Sequence, residues 1–167
     1  MSPLAAFNSI DQIVDEQIVR LARDPLSFPA QFHLFRGDAI VVSVERIAAG
    51  DELDALVGDV ALHVAEEQAD AFIAIFKGRV ASGEPGTRSD IPGIVVERPE
   101  APLVWVPCIA ASAHARGVPE SVGVVARYEV VSDHDIRVLE RRRHEGSGAI
   151  FRWLDPIMRV WAEEARP

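Results

Sequence analysis

Ala71-Phe72-Ile73-Ala74-Ile75-Phe76 is a run without one polar side chain. Successive side chains of a strand point to opposite faces, so apolar residues at every position ask for cover on both sides. The run is therefore expected as a central strand of a sheet. Just before it, residues 52–68 place Leu53, Leu56, Val57, Val60, Ala61, Val64 and Ala65 on one helical stripe. Gly50-Asp51 opens this helix, and Asp51, Glu52 and Asp54 suit the positive end of its dipole. Such a helix should pack on a face of the sheet.

Working back toward the start, Gln31-Phe32-His33-Leu34-Phe35-Arg36 and Ala39-Ile40-Val41-Val42-Ser43-Val44-Glu45 flank Gly37-Asp38. Two alternating runs around a turn that tolerates positive φ predict a β-hairpin. Before it, Ile10, Ile13, Val14, Ile18 and Leu21 predict a helix over 10–23. Ser9 and Gln12 have the spacing of a capping box, Glu16 precedes Arg20 by one turn, and Pro25 ends the helix at Asp24.

Downstream, residues 82–93 hold three glycines and two prolines and read as a loop. Residues 94–97 and 103–106 read as short strands, with Pro107 at an edge, a bulge or a strand end. Residues 109–115 fit helix by their alanines and strand by their context. Residues 122–131 and 136–143 flank Ser132-Asp133-His134-Asp135 as a second hairpin. A last helix starts at Pro156, capped by Asp155, with Ile157, Val160 and Trp161 as its apolar face.

The order α-β-β-α-β, a β-meander, then α predicts one α+β (mixed α/β) domain over 1–167. Its sheet is largely antiparallel or mixed, in two or three layers, with two long amphipathic helices and a C-terminal helix. At 167 residues, 49% apolar and 26% charged, the chain is long enough for a core without metal or disulfide. Cys108 is the single cysteine, so no intrachain disulfide is possible. The N-terminal residues lack a signal-peptide pattern, and no apolar run nears the roughly 20 residues of a membrane helix. A cytoplasmic protein is expected, with a virion component as the alternative. The net charge of −9 argues against broad nucleic-acid or membrane binding. Arginine supplies 16 of the 17 basic residues, and Lys77 the other. A GC-rich bacterial or phage genome explains that bias, as does selection for bidentate anion contacts.

Four groupings carry the chemistry worth weighing. Glu97-Arg98-Pro99-Glu100 follows a strand end and offers acid–base groups around a guanidinium, or a solvated ion pair. Cys108, His114 and His134 have the residue types of a nucleophile and base, but Val106, Pro107, Ile109 and Ala110 around the cysteine predict an inert, buried thiol. His63 and Glu66 lie one turn apart, and without two further ligands no metal is expected. Glu140-Arg141-Arg142-Arg143-His144 before Glu145-Gly146-Ser147-Gly148 is the most distinctive stretch. A strand sends Arg141 and Arg143 to one face and Arg142 to the other, where they bind an anion or are neutralised by Glu129, Glu140 and Glu145.

No phosphate-loop or dinucleotide fingerprint occurs, so no cofactor is expected. Trp153 and Trp161 complete the core or anchor a subunit interface. Two functions follow. The first is a non-enzymatic, possibly oligomeric interaction or accessory protein that self-associates or binds a protein partner. The second is a small enzyme or binding protein for an anionic small molecule, built on Glu97, Arg98, Glu100 and His114 with Arg142 as clamp.

Overall fold

The computed structural model describes residues 4–47, 51–82, 89–90, 104–147 and 154–164. The element order is α1 (Leu4–Arg23), β1 (Ala30–Arg36), β2 (Ala39–Arg46), α2 (Asp51–Glu66), β3 (Ala71–Ser82), β4 (Ser89–Asp90), β5 (Val104–Ala115), β6 (Val118–Ser132), β7 (Asp135–Ser147) and α3 (Asp155–Glu164). One sheet runs in the order β2-β1-β3-β5-β6-β7, every pair antiparallel, with β4 also paired to β3. This is the expected α+β fold with an antiparallel sheet.

The Ala71–Phe76 run explains the layering. Its odd residues Ala71, Ile73 and Ile75 join Ala6, Phe7, Ile10, Val14 and Leu21 of α1, together with Ala111, Ala113, Val124 and Tyr128. Its even residues Phe72, Ala74 and Phe76 join Leu56, Val57, Val60 and Val64 of α2, and Ile157 and Trp161 of α3. The result is three layers, with α1 on one face of the sheet and α2 and α3 on the other. Gly37 (φ 62°) and Gly117 (φ 73°) turn β1 into β2 and β5 into β6, where a side chain would be strained.

Several boundaries differ from the sequence expectation. Helix α1 starts at Leu4, not Ile10, because Ala6 and Phe7 already bury against the sheet. Ser9 is therefore inside the helix, donating to the Ala5 carbonyl oxygen at 2.7 Å, and forms no capping box. Arg20 turns from Glu16 to Glu45 of β2, held by two hydrogen bonds of 2.7 and 2.9 Å. Helix α2 stops at Glu66, two residues early, as Gln68 takes φ 52°. Strand β3 runs on to Ser82, and β4 lies inside the stretch read as a loop.

Residues 109–115 are strand, their small side chains letting α1 lie close. Pro107 pairs with Arg79 of β3, and the β5–β6 ladder begins one residue later at Cys108↔Arg127. Proline thus sits where, among the described residues, its strand is paired on the β3 side alone. The strand expected at 94–97 lies outside the described residues. Among the described residues no helix is long and apolar enough to cross a membrane.

Candidate functional site

Strand β7 carries the arginine row, and its alternation separates the three as the strand period dictates. Arg141 and Arg143 lie on the α1 face. There Asp11 and Asp15, one helical turn apart, meet them. Arg141 Nη2 donates to Asp11 Oδ1 at 2.9 Å and to the Asp11 carbonyl at 3.0 Å, while its Nη1 binds Asp15. Arg143 binds Asp11 through Nη1 and Glu145 through Nε, the latter at 3.0 Å. Partial burial works against the charge on Arg141, and its bonds to Asp15 and Asp11 outweigh that and raise its pKa.

On the opposite face Arg142 binds Glu140, and Glu140 also takes Arg127, its register partner on β6. Glu129 takes its own register partner, Arg137. Glu140 and Glu129 thus act as cross-strand partners, although Glu129 serves Arg137 rather than the row of three. Asp11 and Asp15 are the partners that sequence reading missed. They lie 126 to 132 residues from the arginines they hold, and the only local signal was their helical spacing.

Beside Arg143 an open groove of about 500 Å³ runs between the start of α1 and the end of the β6–β7 hairpin. Phe7, Asn8, Glu120, Ser121, Arg143 and Glu145 line it. Two carboxylates against one guanidinium already bound to Asp11 make this a poor cradle for an anion.

The far half of the hairpin is different. Strand β6 leaves β5 after Arg127, while its pairing with β7 continues to Ser132↔Asp135. Tyr128 and Ile136 keep one side of this arm on the α1 core. Val130, Val131, Val138 and Leu139 are 51%, 59%, 40% and 47% exposed. His134 at the tip meets the Arg23 carbonyl at 3.3 Å, tying the turn to the end of α1.

The remaining candidates are built into the core. His114 lies buried, stacked on Phe72 at 5.0 Å, with Nε2 3.0 Å from Ser112 Oγ. Burial pulls its pKa down to about 4, so the ring is neutral at pH 7. Trp161 packs on Phe72 at 5.6 Å and donates from Nε1 to the Ala69 carbonyl at 2.9 Å, so it completes the core. Cys108 is fully buried. His134 is carried on the hairpin tip, on another element from His114 on β5. His63 and Glu66 sit on α2 outside any cluster of three metal-ligating side chains among the described residues. Glu97, Arg98, Glu100 and Trp153 lie outside the described residues. Compared with protein-family models, curated proteins and solved structures, the chain matches none.

Proposed function

We propose that the chain is a non-enzymatic, self-associating interaction protein whose working surface is the β6–β7 hairpin. One observation carries this reading: Val130, Val131, Val138 and Leu139 are exposed together on an arm that has left β5. Large aliphatic side chains exposed on both faces of one paired element are the composition of a contact element rather than of a solvated turn. The arm is also anchored well enough to present them. Tyr128 holds its root, Arg141 and Arg143 clamp the adjoining part of β7 to α1, and His134 ties its tip.

The rival reading, an anion-binding site with His114 and Arg142 converging, draws little support from these residues. His114 is stacked against Phe72 and hydrogen-bonded to Ser112, and Arg142 is bound to Glu140. The interaction reading is tested by sedimentation of the parent chain beside a Val130→Asp/Val131→Asp variant. The parent is expected above its monomer mass of 18.3 kDa and the variant at or nearer that mass, with unchanged circular dichroism. A parent that stays at 18.3 kDa at every concentration, or a variant that assembles like the parent, would overturn it.

A further inference from the structure

At the β2 end of the sheet, far from the β6–β7 arm, polar side chains are set into the α1 face. Gln31 and His33 of β1 stand two residues apart on that face. Their register partners are Glu45 and Ser43 on β2, and Ile75 and Ile73 on β3. Gln31 is fully buried and donates from Nε2 to Gln17 Oε1 of α1 at 2.6 Å. His33 Nδ1 lies 2.8 Å from Ser43 Oγ. His33 Nε2 and Gln31 Oε1 are both buried without a hydrogen-bond partner among the described residues. An unpaired polar atom in such a place costs free energy, and it costs far more once charged.

Above this pocket, Arg20 of α1 holds both oxygens of Glu45, and among the described residues this is the ion pair that ties α1 to β2. We infer that His33 is a proton-sensitive latch beneath the Arg20–Glu45 closure: proton uptake by its ring breaks this closure and frees β2 from α1.

The chemistry of the ring sets the direction. Neutral, it keeps Ser43 at Nδ1 and buries one uncharged nitrogen. Protonated, it has two N–H donors, and Nε2 would carry part of a positive charge with no acceptor bonded to it. The charged groups that face the ring are Glu45 of β2 with Glu16 and Arg20 of α1, while β3 presents Ile73 and Ile75. Arg20 repels an imidazolium. Glu45 attracts it, but its two oxygens already hold Arg20 at 2.7 and 2.9 Å. Glu16 attracts it too, from an exposed position where Gln12 Nε2 donates to it at 3.4 Å. Imidazolium and guanidinium therefore compete for the Glu45 carboxylate.

Burial decides the balance against the proton and lowers the ring's pKa from its ordinary 6.5, despite the pull of Glu45 and Glu16. The closed state is thus favoured in full above 6.5 and loses ground as pH falls toward the ring's own lower value. His114 also titrates, but it stacks on Phe72 amid the sheet, so its proton weakens both edges together.

Residue-resolved hydrogen exchange tests the latch, corrected for the intrinsic pH dependence of amides and read beside the ring's own NMR titration. In the parent, β2 opening is expected to be flat above about pH 6.5 and to rise below it faster than β7 opening. The excess should grow by at most about tenfold per pH unit, the limit for one proton, and level off where the His33 ring titrates. In a His33→Gln chain the β2 profile should follow that of β7. An Arg20→Ala chain, already without the closure and with Glu45 free for the ring, should open β2 more at neutral pH and show a smaller excess in acid.

A parent whose β2 and β7 profiles coincide while the ring titrates would overturn the latch; that is the result expected if Gln31 Oε1 takes the new Nε2–H in place. An excess that persists in His33→Gln, or is undiminished in Arg20→Ala, would overturn it equally. Should His33→Gln fail to fold, the parent decides alone, because an excess that continues past the ring's titration point belongs to another group.

Discussion

The two edges of this sheet are closed in different ways. At β2 helices reach it from both faces, Arg20 of α1 holding Glu45 and Asp59 of α2 holding Arg46. At β7, among the described residues, α1 is the helix that reaches it, through Asp11 and Asp15, and the opposite face carries Glu140, bound to both Arg142 and Arg127. The neighbours differ as well: β1, which carries β2, is buried on both faces over most of its length, whereas β6, which carries β7, is buried on the α1 face and half-buried on the other. It teaches that the two rims of one sheet can be held by different means, one by a helix on each face and the other by a clamp on one face and ion pairs within the strands on the other.

The hardest way to strike that contrast is at the root of the arm. Tyr128 is 2% exposed, and burial pushes its pKa up to about 12. Truncating a buried aromatic costs about 3–5 kcal/mol, and Tyr128→Ala is expected in that range. Native-state hydrogen exchange should show residues 128–139 opening well before the β1–β2 hairpin. Should both hairpins open together with equal free energy, the two edges would belong to one cooperative unit and the contrast would be only geometric.

Acid provides the second test, with an effect of roughly 3 kcal/mol. The unfolded chain protonates His114 as pH falls through about 6.5, whereas the folded chain resists until about 4. Stability is therefore full above the upper value and is lost progressively between the two. His114 sits on β5, amid the sheet, and its loss should weaken both edges alike. His33 breaks the symmetry. Burial lowers its pKa too, and its Nδ1 lies 2.8 Å from Ser43 Oγ, across the β1–β2 ladder. Exchange at β2 should therefore accelerate more than at β7 in this window. A His114→Asn variant should lose most of the global pH slope. If it kept that slope in urea titrations, the buried imidazole would not be its source.

These sites also show how far the sequence could be read. Strand Ala71–Phe76, helix α2 and both hairpins were legible, because periodicity and turn chemistry are local and each element's burial enforces its pattern. The start of α1 was not, since Ala6 and Phe7 become helical by packing on strands formed later in the chain. Residues 109–115 were ambiguous because alanine fits either element, and only the approach of α1 decides. The arginine row was legible as a row and in its alternation. Its partners Asp11 and Asp15 were not, because nothing local links α1 to β7. The apolar arm was equally hidden, since nothing local shows that the pairing of β6 with β5 ends at Cys108↔Arg127 and leaves Val130, Val131, Val138 and Leu139 exposed.

The clamp on β7 ranks third. Arg141 is 29% exposed and holds two carboxylates of α1. Removing one partner of a half-buried pair leaves the others without their charge-assisted bonds, so Arg141→Met is expected to cost about 2 kcal/mol. A double-mutant cycle with Asp11→Asn should return a coupling of about 1 kcal/mol, because the two groups share one network. Additive losses would mean that α1 holds β7 by packing alone.

The smallest effect belongs to β2, and it completes the comparison. Arg20–Glu45 and Arg46–Asp59 leave all four side chains between 42% and 51% exposed. Water and salt screen such pairs, so Arg20→Ala and Arg46→Ala should each cost under about 1 kcal/mol, even though Arg20 is bidentate. The two pairs lie on opposite faces of the strand and share no partner, so their losses should add. Raising the salt concentration should shrink both, and shrink the Arg141→Met loss less, because that guanidinium is more deeply set. An Arg20→Ala loss equal to that of Arg141→Met, with the same salt dependence, would erase the distinction between the edges. The β7 clamp would then be no stronger than the closure at β2, and what separates β7 would reduce to the exposed Val138 and Leu139.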